Sequence, residues 1–232
     1  MNASRTARER VRAELIREIT GIARRHLATD GAPGLSLRAV AREMGMVSSA
    51  IYRYFPSRDD LLTVLIVDAY NAIGEAVERA DATRPRDDFT GRWLAACRAV
   101  REWALAHPHE YALLYGSPVP GYRAPEDTIG PASRGTIVYG RILADAQRAG
   151  RLSPPPMCPP PPAILSQDAE AVRSVMPGVS DDVVARALVA WTGLFGMVSF
   201  ELFGQFNSVI EHRAELFDHN MTCLAHLLGF SS

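Results

Sequence analysis

The sequence predicts an all-α chain, with a small N-terminal unit of three helices followed by a larger helical body. Three observations carry this. Apolar residues recur at three- and four-residue spacing through most of the chain, from Leu15, Ile19 and Ile22 to Leu224 and Leu228. No strand-like alternation of useful length interrupts them, and there are no internal repeats. Glycine, proline and Ser/Asp clusters fall where helices need starts and stops.

The elements follow in order. Residues 8–29 form a first helix on Val11, Leu15, Ile19, Ile22 and Leu27, ended by Asp30-Gly31. Ser36 caps a second helix whose apolar side is Leu37, Val40, Ala41 and Met44. Gly45 makes a tight turn, and Ser48 caps a third helix of about two turns, stopped by Pro56. Val40, Met44, Val47, Ile51 and Phe55 supply the apolar contacts between these helices. Ser57 then opens a fourth helix, with Asp60 placed to complete a capping box.

The body begins with this fourth helix, on Leu61, Leu62, Leu65, Ile66, Ala69, Ile73 and Val77. A fifth spans residues 87–106 and breaks at His107-Pro108. A short helix carries Tyr111 and Tyr115. After a Gly/Pro-rich loop, a seventh spans 132–149. Residues 153–162, SPPPMCPPPP, are a stiff polyproline connection. A weak helical stretch covers 167–175, then come helices at 180–206 and 210–228, the last closed by Gly229.

Charge is segregated along the chain. Residues 1–58 hold eleven Arg against five acidic residues, a formal +6, while the remainder carries −7. A basic head on an acidic body confines any nucleic-acid footprint to one end. Cys97, Cys158 and Cys223 are few, odd in number and widely spaced, which fits neither a disulfide framework nor a zinc pattern and suits a reducing cytoplasm. The N-terminus lacks the apolar core of a signal peptide. The apolar stretch 183–206 contains Arg186, Glu201 and Gln205, so it reads as a buried helix and no membrane association is expected.

Residues 35–62, with a helix, a glycine turn, a second short helix and a proline stop, have the pattern of a helix-turn-helix. The third helix leaves small and polar residues at its tip, Ser48, Ser49 and Ala50, followed by Tyr52, Arg53 and Tyr54. Small residues at a helix N-terminus let backbone approach a groove, and Tyr hydroxyls and Arg guanidinium groups at the flanks bind phosphate oxygens. Residues 1–56 are therefore expected to be a DNA-binding domain and 57–232 a helical ligand-binding and dimerisation domain.

The segment 35–62 closely resembles the DNA-binding domain of the tetracycline-repressor (TetR) family, without gaps. The resemblance rests on Ala41-x-x-x-Gly45, on Tyr52-x-x-Phe55, and on Ser57-Arg58 leading into Leu61-Leu62. It implies an all-helical homodimer, usually a transcriptional repressor released by a small ligand. It places Arg38 where a base edge or phosphate is reached, Ser48, Ser49 and Ala50 at the groove, Tyr52 and Tyr54 on phosphates, and Arg53 between them facing DNA. Arg58 stands where Lys is usual, as a phosphate contact, and Tyr54 replaces the more usual His. The C-terminal segments from Trp191 and Ser199 resemble a regulator class described by a Trp-His-Gly signature, with Phe195 in place of the His.

Within the body, Trp93, Trp103, Tyr111, Tyr115, Trp191 and Phe195 are the candidates for lining an apolar effector pocket. Each is equally well explained singly as core. Pro108 separates His107 from His109, and no second ligand cluster stands near, so neither metal nor other cofactor is expected. No phosphate-binding glycine loop or nucleophile motif occurs. The expected partners are operator DNA, a small apolar or amphipathic effector, and a second copy held through the last two helices. The rival readings are a helical small-molecule enzyme with a vestigial DNA-binding head, and a protein–protein interaction module. Absence of a catalytic constellation argues against the first, and the specific helix-turn-helix against the second.

Overall fold

The protein is described from a computed structural model, which covers residues 2–153, 155, 158–162 and 172–230, with side-chain surroundings from residue 7 onward. The helices are α1 (Asn2–Gly34), α2 (Leu37–Glu43), α3 (Ser48–Ile51), α4 (Arg58–Ala82), α5 (Phe89–Ala106), α6 (Pro108–Tyr115), α7 (Ile129–Arg148), α8 (Asp181–Leu202) and α9 (Arg213–Leu228). A 3₁₀ turn, Glu126–Thr128, leads into α7. The described residues contain no strand, only an isolated bridge between Leu152 and Phe230. The weak helix expected at 167–175 lies largely outside the described residues.

The chain forms two compact units. One comprises residues 1–69 and 109–129, the other 70–108 and 130–232. In the first, α1 buries Ile19, Ile22, Ala23 and Leu27, α2 buries Leu37, Val40 and Ala41, and α3 contributes Ile51. α1 extends beyond the expected bounds at both ends, and Gly31, at φ 68° and ψ 177°, breaks it where a stop was expected. Val11 is exposed and Leu15 half-buried, so the buried apolar row of α1 begins at Ile19. Arg24 ties three helices of this unit, bonding Asp68 of α4 at 2.7 Å and Glu110 of α6 at 3.2 Å.

The capping predictions met different outcomes. Ser57 and Asp60 form the reciprocal box at the start of α4, with Ser57 N donating to Asp60 Oδ2 (2.8 Å) and Asp60 N to Ser57 Oγ (3.1 Å). Ser36 occupies the N-cap of α2 but makes no capping hydrogen bond. Val47, not Ser48, is the N-cap of α3.

In the second unit, α5, α8 and α9 pack on one another. Trp93 of α5 donates from Nε1 to the Met221 carbonyl of α9 at 2.9 Å. Arginine–carboxylate pairs tie the helices: Arg101 of α5 to Glu201 of α8 with both bonds at 2.7 Å, and Arg98 to Asp218 of α9. The fully buried Arg92 bonds Asp81 at the end of α4 and Asp145 of α7.

The stretch 183–206, expected as a buried helix, is buried along one face. One face of α8, with Val183, Val184, Ala187, Ala190, Leu194 and Val198, is buried, while Leu188, Val189, Phe200 and Phe203 are exposed. Both faces are apolar, which gives this helix a mean hydropathy of 1.6. By length and composition alone it could cross a membrane. Its Glu201 and Arg186 nevertheless pair with Arg101 and Asp182 within the bundle.

Candidate nucleic-acid interface

The turn between α2 and α3 is built by Gly45 at φ 67°, with Met46 N donating to the Ala41 carbonyl at 2.9 Å. This places α3 with Ile51 fully buried and Phe55 beneath it. α3 is one α-helical turn. It then tightens, with Arg53 N and Tyr54 N reaching back three residues to Ala50 and Ile51. The expected two turns are thus one α turn followed by a tighter one.

Burying Ile51 sends the rest of the segment outward. Ser48, Ser49, Tyr52 and Arg53 are exposed, Ala50 and Tyr54 are half-buried, and Arg38 on α2 is exposed. The expected groove-facing tip and its flanking donors therefore share one short, outward segment. Val47 joins them. It is 72% exposed at the N-cap of α3, not in the core between helices. Its apolar character hid this, because a Val four residues before a buried Ile reads as core.

Two arginines make contacts that the sequence did not indicate. Arg58 is half-buried, with Nε donating to the Leu35 carbonyl and Nη2 to the Ala32 carbonyl, while Nη1 lies 3.6 Å from Asp59. These bonds tie the end of α1 and Leu35 to the start of α4. Arg12 was not singled out in sequence. It places its guanidinium 5.3 Å from the Tyr54 ring centroid and donates to the Arg53 carbonyl at 3.2 Å. No sequence signal marks Arg12 among the many arginines of α1.

A salt-linked group backs the motif. Glu43 at the end of α2 accepts from Arg25 (2.6 Å) and bonds His26 (2.8 Å) of α1. The hydrogen bond from Arg25, then that with His26, holds the Glu43 carboxyl below its ordinary pKa.

Comparison with known proteins agrees with this geometry. Residues 19–65 match the family described as bacterial regulatory proteins, tetR family, and residues 93–224 match the tetracyclin repressor-like C-terminal domain. The chain belongs to the TetR family. It is 42% identical to the HTH-type transcriptional regulator Rv1816 of Mycobacterium tuberculosis, over 88% of this chain and 86% of that protein. Mb1846 of Mycobacterium bovis, also an HTH-type transcriptional regulator, is equally similar. Among solved structures, SCO4313 superposes with a TM-score of 0.75 at 36% identity, covering 94% of this chain and 98% of that one. A Rhodococcus sp. RHA1 protein gives 0.68 at 25% identity, over 94% and 96%. The chain is a DNA-binding transcriptional regulator.

In this TetR-family regulator the six aromatic residues expected around an effector fall in separate places. Trp93 and Trp191 line one cavity with Tyr139, Leu143, Met176 and Leu194. That cavity is only about 10 Å³, the space of roughly one water. Phe195 packs against Trp191 with ring centroids 5.3 Å apart. Trp103 stacks on His107 at 5.2 Å. Tyr111 and Tyr115 pair with each other at 5.0 Å and belong to the other compact unit. Cys97, near this cavity in α5, is completely buried, and burial pushes its thiol pKa well up despite a hydrogen bond with Tyr139.

Proposed function

We propose that this regulator represses transcription as a homodimer and releases its operator when a small apolar or amphipathic effector binds the body. The observation that carries DNA reading is the outward segment from Val47 to Tyr54, held by buried Ile51 and Phe55. In this reading residues 1–56 read DNA and residues 57–232 bind the effector and pair the subunits. Ser48, Ser49 and Ala50 approach base edges, with Val47 available for a thymine methyl. Tyr52, Arg53 and Tyr54 bind phosphates, and Arg12 orients Tyr54. Arg38 reaches a base edge or phosphate from α2. Arg58 chiefly positions α4, with Nη1 left toward the backbone. Support for repression comes from the family and from a partial relative, the transcriptional repressor DrrR1 of Streptomyces coeruleorubidus, 34% identical over 77 residues.

Dimerisation is assigned to α8 and α9, because α8 carries an apolar face the subunit leaves uncovered. The effector is assigned to the space beside Trp93 and Trp191 within the second unit, which expands when occupied, with Phe195 packed against Trp191. Arg24 carries a response within the first unit, since its bonds to Asp68 and Glu110 tie α1 to α4 and α6. A coupling of about 2.7 kcal/mol weakens operator binding roughly a hundredfold.

The test is a gel shift with DNA from upstream of the chain's own gene. Salt-dependent, sequence-selective binding by a dimer is expected, weakened by one member of a panel of apolar ligands. Binding with no preference over unrelated DNA sinks the operator reading. Operator affinity untouched by every ligand sinks the effector reading.

A further inference from the structure

The first turns of α1 carry its row of core positions past the point where the unit covers it. Residues at alternating three- and four-residue spacing share one face of a helix. In that register Ile22 and Ile19 are buried, Leu15 is half-buried, and Arg12 and Arg8 are exposed. The sequence continues the row to Arg5. One face of α1 thus changes from apolar to arginine where burial ends. Glu9, Glu14 and Glu18 fall outside this register, and Glu14 stands 4.0 Å from Arg17. The family match begins at residue 19, so the arginine row precedes the matched helix-turn-helix.

Arg12 fixes where the row points. Its Nη1 donates to the Arg53 carbonyl at 3.2 Å, and its guanidinium lies 5.3 Å from the Tyr54 ring centroid. Arg12 therefore stands against the end of the outward segment from Val47 to Tyr54. Arg8 lies one turn earlier on the same face, about 6 Å along the axis. No hydrogen bond or ion pair ties Arg8 to the described residues, so it contributes nothing to packing. A free guanidinium next to a tyrosine placed for phosphate offers a charge and parallel N–H donors to a second phosphate.

We infer that the first turns of α1 are a second DNA-binding element. Arg8 of each subunit binds a backbone phosphate beside the one held by Tyr54, and Arg12 fixes this arm to the recognition segment. A phosphate contact adds affinity and salt dependence without adding sequence preference. This rests on the reading of Val47 to Tyr54 as the DNA-facing segment, and it extends the footprint beyond the helix-turn-helix.

The test is the salt dependence of operator binding by the full chain. Arg8→Ala should make the plot of log K against log salt shallower by about 1.8, which is about 0.9 for each of two subunits. The melting temperature and the ranking of operator variants should stay as in wild type. Arg8→Lys should keep the wild-type slope, because the counterions released depend on charge. In hydroxyl-radical footprints, Arg8→Ala should lose protection next to each half-site and keep it within. A wild-type slope and footprint in Arg8→Ala overturn the inference. An altered ranking of operator variants also overturns it, by making Arg8 a base reader. Operator binding unchanged by both Tyr52→Ala and Arg53→Ala overturns the reading of Val47 to Tyr54 itself, and the inference with it.

Discussion

Gly45 and Gly229 both hold left-handed backbone, at φ 67° and 94°, but they answer to different constraints. A Cβ on Gly45 meets nothing within 4 Å, so only the backbone conformation resists substitution. Gly45→Ala should cost about 1–2 kcal/mol and Gly45→Asn less, because Asn tolerates that region. A Cβ on Gly229 would stand 2.3 Å from the Ser153 carbonyl oxygen, so Gly229→Ala should cost clearly more than Gly45→Ala in thermal melts. Equal losses would mean that the Ser153 segment moves aside freely. Gly45 was legible in sequence because turn chemistry is local. Val47 was not, because exposure depends on where a one-turn helix is aimed. The bonds of Arg58 to the Leu35 and Ala32 carbonyls were not legible, because they come from chain far away in sequence. Arg58→Ala should therefore lower stability together with DNA affinity. Arg38→Ala should leave stability alone and relax preference at one base pair per half-site, checked by selection from a randomised operator.

At the scale of elements, helices were read well where caps and breakers mark them and poorly where packing decides. The start of α4 was legible to the residue, since Ser57 and Asp60 act within one turn. The inner face of α8 was legible in its apolar row, while for the outer face such a row says that burial is wanted without saying by what. Arg92 illustrates a tie that no local pattern gives, joining α4, α5 and α7 through Asp81 and Asp145. Removing it leaves Asp81 with Arg86 and Asp145 with Arg148, so Arg92→Leu should destabilise by about 1.5–3 kcal/mol, and Arg92→Leu with Asp81→Leu by less than the sum of the two. Glu43 gives α1 and α2 a pH-dependent tie. Its pKa is lowered in the folded state, so the stabilisation is present above the ordinary carboxylate range and lost as pH falls through the lowered value. Wild type should melt above Glu43→Gln at pH 7, and the gap should close toward pH 3. A gap independent of pH would remove the tie from the account.

For the whole molecule, charge and motif mark a reader over 1–56 and a body over 57–232, whereas the compact units are 1–69 with 109–129 and 70–108 with 130–232. The effector site could not be seen in sequence, because six aromatic residues at helical spacing serve core and pocket alike. Trp93 and Trp191 share a cavity of one-water size, while Tyr111 and Tyr115 belong to a different unit. Trp191→Ala should therefore change the response to effector more than operator affinity in its absence, measured by gel shift with and without ligand. The reverse pattern would place Trp191 in the scaffold instead.

The uncovered face of α8 also links stability to abundance. If subunits fold fully only when that face is matched, mass action makes the melting temperature rise with protein concentration. A chain present at a few copies per cell would then spend part of its time as subunits open to proteolysis, and a burst of synthesis would protect itself. Calorimetric scans at 1 and 100 µM should differ by several degrees, with the lower transition at the lower concentration.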